Sequence, residues 1–253
     1  MQVIVLPDAA AVARAAAEEW ARLAAKAARE RGRFAVALAG GSPPRGLYTL
    51  LAQPEFARLV EWPDVHIFWG DERCVPPDHP DSNYRVAREC LLDPLFFPPE
   101  RVHRIPGELP AERAAAIYER DLRAFFGNWP TAAPQPAAAF DLILLGLGDD
   151  GHIASLFPGA AALRETERWA VAVPHRAPPA PLVDRVSLTP PALNAAAQVI
   201  FMVTGASKAE RVAQVLNGPF QPEELPAQIV RPTAGRVLWL LDQAAGSGMR
   251  NDE

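Results

Sequence analysis

Short apolar runs alternate with longer stretches of helical period along the whole chain. Val3–Leu6, Phe34–Leu38, His66–Trp69, Leu142–Leu145, Val199–Thr204 and Val237–Leu241 each read as a strand. Their near-continuous apolar character is that of strands covered on both faces. Weaker strand signals fall at Trp169–Val173 and Arg185–Leu188. Asp8 caps an alanine-rich helix that ends near Gly32. A helix carrying Leu47, Leu50 and Leu51 follows the second strand, and others run through Arg85–Leu92, Glu112–Phe126 and Lys208–Asn217. This grammar predicts βαβ units with right-handed crossovers. The expected fold is α/β, a mostly parallel, doubly wound, modified Rossmann-like sheet flanked by helices. A Pro- and Ala-rich stretch, NWPTAAPQPAAA, interrupts the pattern before Leu142. The same grammar resumes after it, so the reading is an exposed loop within one domain spanning residues 1–253.

Composition narrows the function classes. The 253 residues are 49% apolar and 22% charged, an ordinary globular balance with room for a sizeable core. The net charge is −5 and no basic tract interleaves with aromatics, so nucleic acid is not an expected partner. In an acidic chain an anion site has to be assembled locally, from a few side chains and backbone amides. The two cysteines, Cys74 and Cys90, make neither a disulfide framework nor metal-ligand spacing, and the histidines are dispersed. Free thiols in a reducing cytoplasm are expected, and neither metal nor cofactor. The opening MQVIVLPDAA has no basic n-region, and no apolar run approaches the ~20 residues of a membrane span.

The candidate chemistry sits where predicted strands end. After the second strand comes Gly40-Gly41-Ser42-Pro43-Pro44. Adjacent glycines turn backbone amides toward an oxyanion, and the following helix N-terminus adds partial positive charge. The plain alternative is a tight turn with Ser42 as N-cap. After the third strand, Asp71-Glu72-Arg73 reads as a charged loop. Three charges at the end of a buried strand are costly unless they face a cleft or pair internally. Arg73 offers a fork for phosphate or carboxylate, and Asp71 could hold a hydroxyl or act as a base. Downstream, Ser82-Asn83-Tyr84 reads as a helix start.

The richest segment is LILLGLGDDGHIASLFPG, residues 142–159. Gly146, Gly148 and Gly151 spell the dinucleotide fingerprint. Asp149 and Asp150 would repel a pyrophosphate there, and no acidic residue ends a strand about 20 residues later. A general acid/base fits better: His152 beside two aspartates, since an imidazole titrates near neutrality. Finally, Ser207 and Glu210 have capping-box spacing, which puts Lys208 in a first helical turn. A cation there opposes the helix dipole unless an anion binds nearby. Arg185 could reach the same anion. His66 reads as structural, His79 and His103 as surface residues, and His175 as a weak candidate for the crevice.

The blocks AGGSPPRGLY, WGDERCVPPDHPDSNY, LGLGDDGHIASLFPG and RVSLTPPALNAAAQVIFMVTGASKAERV, in this order, resemble the 6-phosphogluconolactonase family, within the larger group that includes glucosamine-6-phosphate deaminases. Two departures matter. The family usually has Thr-Pro after Gly-Gly-Ser where this chain has Pro43-Pro44. The deaminases carry an Asn-Glu pair where this chain has Leu156-Phe157, and that carboxylate serves ring opening and proton shuttling. Its absence favours the lactonase branch. The resemblance implies hydrolysis of 6-phospho-D-glucono-1,5-lactone to 6-phosphogluconate, in the oxidative pentose phosphate pathway. His152 would activate water, with Asp150 and Asp71 positioning. Gly40, Gly41, Ser42, Arg73, Lys208 and Arg185 would hold the phosphosugar. A monomer or small homo-oligomer is expected. An amino-sugar-phosphate deaminase, a non-catalytic sugar-phosphate sensor and a dehydrogenase stay open as alternatives.

Overall fold

The computed structural model describes residues 1–127 and 139–249. In chain order its regular elements are β1 (Gln2–Leu6), α1 (Ala9–Arg31), β2 (Phe34–Leu38), α2 (Ser42–Leu51), α3 (Pro54–Ala57), β3 (Val65–Trp69), β4 (Asp71–Arg73), α4 (Asn83–Ala87), α5 (Ala111–Phe126), β5 (Leu142–Leu145), β6 (Ala170–Val173), β7 (Arg185–Leu188), α6 (Pro190–Asn194), β8 (Gln198–Val203), α7 (Ala209–Asn217), β9 (Arg236–Asp242) and α8 (Gln243–Gly246). Six strands form one parallel sheet in the order β1-β9-β8-β5-β2-β3. The doubly wound α/β expectation holds. The Pro/Ala-rich stretch read as an exposed loop lies, apart from Ala139, outside the described residues.

Local chemistry explains the framework. The Asp8 carboxylate accepts the Ala11 N–H at 2.8 Å and starts α1. Gly32 ends it with a φ of 65°, its N–H returning to the Ala28 carbonyl. Every residue of β2, β5 and β8 is buried, as expected of central strands with helices on both faces. Two tyrosines pin strand ends. The Tyr48 hydroxyl donates to the Ala39 carbonyl and accepts the Ala39 N–H, and Tyr118 does the same for Trp69. Burial pushes both phenols up. The C-terminal ends of β2 and β3 are therefore each anchored by a buried phenol.

Strand order locates the crevice. From β2 the chain moves outward to the edge strand β3, then returns to β5 on the other side of β2 and continues through β8 to β9. The loops after β2 and β5 lead away in opposite directions. That is a topological switch point, where open α/β sheets bind ligands.

The strand pattern read from the sequence needs one correction. Asp71-Glu72-Arg73 is a strand, not a loop. It belongs to a second sheet of order β4-β7-β6, antiparallel throughout. Only three residues long, β4 offers too little alternation to be seen as a strand. Among the described residues no helix is long and apolar enough to cross a membrane.

Candidate active site

A cavity of about 570 Å³ opens at the switch point. Its wall contains all nine residues singled out from the sequence: Gly40, Gly41, Ser42, Asp71, Arg73, Asp150, His152, Arg185 and Lys208. The volume suits a small ligand.

The floor is the β5 loop. His152 Nδ1 lies 2.6 Å from Asp150 Oδ1, and the same oxygen accepts the His152 N–H at 3.0 Å. A carboxylate is an acceptor, so Nδ1 carries a hydrogen, and in the neutral imidazole Nε2 is the nitrogen with the free lone pair. Burial opposes charge on Asp150, but the hydrogen bonds and charge of His152 outweigh it and hold the carboxyl below its usual range. The turn is closed by Gly151 N–H to Gly148 O at 3.0 Å and Gly148 N–H to His152 O at 2.9 Å. Gly151 takes a φ of 89°. A Cβ on Gly148 would come within 2.0 Å of His152 Nδ1 and 2.6 Å of Asp150 Oδ1. These glycines make room for the His–Asp pair. The dinucleotide reading loses its second half as well, for no helix opens after Gly151; Ile153 and Leu156 instead form an isolated bridge.

One wall comes from the small sheet. Residues 71 and 73 alternate with 72, so Asp71 and Arg73 line the cavity while Glu72 turns inward. Arg73 sits opposite Arg185 in the β4–β7 ladder. Directly opposed like charges repel, so the placing favours an anion between them. Arg73 Nη1 donates to the Asp81 carbonyl at 2.6 Å. Arg185 donates from Nε to Val183 O and from Nη2 to Pro181 O, at 3.1 and 2.9 Å. Burial pulls the Arg185 guanidinium down, and neighbouring Asp71 opposes that. Asp71 is itself buried: Oδ2 accepts the Ser155 hydroxyl at 2.6 Å and Oδ1 the Asn83 amide at 3.2 Å. With both oxygens taken by the protein, Asp71 is equipped to position its neighbours rather than to act as a base.

Glu72 is the support beneath this wall. Its carboxylate accepts the N–H groups of Arg73, Asn83 and Tyr84, each at 2.8 Å, and the Ser82 hydroxyl at 3.0 Å. Burial pushes the carboxyl up against those donors. It thereby fastens β4 to the N-terminus of α4, where Ser82 accepts the Arg85 N–H as N-cap.

The N-terminus of α2 also lines the cavity. Gly41, with a φ of 96°, is the N-cap, and Ser42 is the first helical residue. Ser42 is thus not the cap. Gly41 and Ser42 supply the amides of this turn, since Pro43 and Pro44 have none. Beyond β8, Lys208 ends a short 3₁₀ turn and serves as N-cap of α7, with no side-chain capping bond. The Ser207–Glu210 capping box does not form, because the chain enters α7 through that extra turn. Lys208 Nζ lies 2.6 Å from Asp149 Oδ1.

The remaining histidines divide differently from the expectation. His175 does not line the cavity; it is buried behind Phe157 and stacks on that ring at 4.3 Å, while Phe157 meets the His152 ring at 4.7 Å. His103 is half-buried rather than free on the surface. It stacks on Phe68 at 4.3 Å and shares a 3.1 Å contact with His66. The sequence reading missed Asn83, Ser155 and Phe157 as site-forming residues. Phe157 had left a signal as the place where a carboxylate was absent, and Asn83 only that of a helix start.

A family model described as glucosamine-6-phosphate isomerases/6-phosphogluconolactonase matches residues 7–239. The chain belongs to this family. It is 41% identical over 230 residues to a 6-phosphogluconolactonase of Synechocystis sp., covering 89% of this chain and 88% of that one. A 6-phosphogluconolactonase of Nostoc sp. is 42% identical over 223 residues, 87% of each chain. The solved structure of 6-phosphogluconolactonase from Trypanosoma brucei superposes with a TM-score of 0.85 at 30% identity, covering 98% of both chains. Among the described residues no group of three or more His, Cys, Asp or Glu is placed to hold a metal ion.

Proposed function

We propose that this chain hydrolyses 6-phospho-D-glucono-1,5-lactone to 6-phospho-D-gluconate, the lactone-opening step of the oxidative pentose phosphate pathway. The observation that carries this reading is one cavity holding both a His–Asp pair and three cationic side chains. The names of the family's 6-phosphogluconolactonase members support the same substrate. A cytoplasmic protein, monomeric or a small homo-oligomer, goes with it.

Each part has a task. Arg73, Arg185, Lys208 and the amides of the Gly40–Ser42 turn take the phosphate and the oxygens near it. His152 Nε2 removes a proton from water as the oxygen bonds to the lactone carbonyl carbon. Asp150 fixes the tautomer and stabilises the imidazolium. The carbonyl electron pair moves onto oxygen, where amides and nearby cations stabilise it. It then returns, the bond from that carbon to the ring oxygen breaks, and the Nε2 proton passes to the departing oxygen. The product acid ionises in water. Asp71 keeps Ser155 and Asn83 in place.

The deaminase alternative needs a carboxylate beside the histidine, and Phe157 stands there instead. A coupled assay on freshly generated lactone, corrected for spontaneous hydrolysis, tests the proposal. The wild type accelerates ring opening, and His152→Ala lowers kcat by ~10²–10⁴-fold. A wild type no faster than buffer, or one that releases ammonia from glucosamine 6-phosphate, ends it.

A further inference from the structure

Six charged side chains line the cavity: Asp71, Asp149 and Asp150 against Arg73, Arg185 and Lys208. Two of the acids have partners of their own. Asp71 is held by Ser155 and Asn83, and Asp150 by His152. Asp149 alone is ion-paired with a cavity cation, at 2.6 Å from Lys208 Nζ. The two partners are unequally placed. The Asp149 side chain is 76% exposed and that of Lys208 only 22%. The backbone of Asp149 is tethered, its carbonyl accepting Arg211 Nε–H at 3.0 Å. The carboxylate is thus the part that can swing into water at little cost, while the ammonium stays.

We propose that Asp149 is a displaceable counter-ion that sets how tightly the cavity holds a phosphate. This rests on the assignment of Lys208 to the ligand phosphate. A phosphate oxygen arriving at Nζ meets a carboxylate already in hydrogen-bond range. Dianion and carboxylate cannot share one ammonium without repulsion, so the carboxylate gives way. Affinity is lowered by the cost of that exchange. The same carboxylate recovers Lys208 as the product leaves, which favours release. The chemical pair, His152 and Asp150, is untouched by the exchange. Asp149 acts on affinity for the phosphate group, not on the bond-breaking step.

The test is Asp149→Asn, which removes the charge and keeps the shape. Titrations with inorganic phosphate and with 6-phosphogluconate, followed by calorimetry, should tighten by about 2–5-fold, the range for an exposed ion pair. KM for the lactone should fall to the same degree with kcat retained, and Asp149→Glu should restore wild-type values. In a Lys208→Met background the Asn substitution should have no effect. Unchanged or weakened phosphate affinity overturns the proposal. So does equal tightening with and without Lys208, which would mean a general field rather than an exchange at Nζ. A wild type inactive on lactone would sink the lactonase reading alone, because the phosphate titrations judge Asp149 without turnover.

Discussion

The α-carbon of Gly40 is the surface against which the Asn83 side chain rests: a Cβ at residue 40 would lie 2.0 Å from Asn83 Oδ1. Asn83 Nδ2 in turn donates to the Asp71 carbonyl at 3.0 Å and to its carboxylate. The glycine turn after β2 and the charged strand β4 therefore meet through one amide. Gly40→Ala should push that amide away and leave the buried Asp71 short of a donor. The expected cost is about 1–3 kcal/mol of stability, because a buried polar group loses its partner. Thermal unfolding measures it, and lactone turnover should fall along with it. A variant with wild-type Tm and activity would show that Asn83 has another rotamer open to it.

The His152–Asp150 pair gives a sharper expectation. Asp150→Asn can offer its amide N–H₂ to Nδ1 and so favour the tautomer with hydrogen on Nε2. The base is then lost while the shape remains, and kcat should drop by roughly 10²-fold or more with KM nearly unchanged. Gly148→Ala should imitate this from the other side, since its Cβ would occupy the space of the Nδ1–Oδ1 contact. The depressed Asp150 carboxyl fixes the sign at acid pH. The pair should survive while Asp150 is ionised and fail only as pH falls through a value below the ordinary carboxyl range. Kinetic pH profiles of the wild type and the Asn variant separate the two groups.

The sheet was legible because parallel strands buried on both faces are written as plain apolar runs. Phe34–Leu38 and Leu142–Leu145 have the bounds that their sequence shows. The site was legible for a related reason. Gly148, Asp150 and His152 interrupt such a run abruptly, and the loop after a switch-point strand has to face the crevice. What could not be read came from contacts between distant segments. The strand β4 exists because it pairs with β7 more than a hundred residues later. Nothing local distinguishes it from a solvated charge cluster. Glu72 was read only as one of three charges of a loop, with no role of its own, yet it is buried and satisfied by four donors. Asn83 carried a helix-start signal that was correct for Ser82 and concealed its second role.

The half-buried His66 marks a place where acid should weaken the fold. Burial, then the charges of Arg101, His103 and Arg33, bring its pKa down to about 4, with Asp64 opposing. Arg101 Nη1 sits 2.9 Å from His66 Nε2, and Phe125 covers the ring at 4.6 Å. A base whose folded pKa is depressed stabilises the fold above its unfolded value. That contribution is lost as pH falls from about 6.5 toward 4. His66→Gln removes the titration, so its Tm should decline less steeply than the wild type's across this window. His103, lowered in the same direction by burial, leaves part of the slope in place. Parallel Tm curves for the two proteins would show that His66 is not the group responsible.

Arg185 does two things that a lysine cannot do together. Facing Arg73 across the ladder, it adds charge to the cavity wall. With Nε and Nη2 it also ties down the carbonyls of Val183 and Pro181, in the loop that brings Pro178, Pro179 and Ala180 to the cavity. The loop's base is closed by an Arg176–Asp184 ion pair, and His175 Nε2 meets the Pro179 carbonyl at 2.6 Å. A lysine at 185 keeps the charge but replaces a planar fork with one compact ammonium. At least one carbonyl contact is then lost, worth on the order of 1–3 kcal/mol for a charged donor. Arg185→Lys should therefore raise KM for the lactone about tenfold or more and expose residues 176–184 to limited proteolysis. Arg73→Lys gives up one bond, to Asp81 O, and should leave that loop protected. If Arg185→Lys raises KM with no change in proteolysis, the guanidinium serves the ligand alone and the loop is held by its other ties.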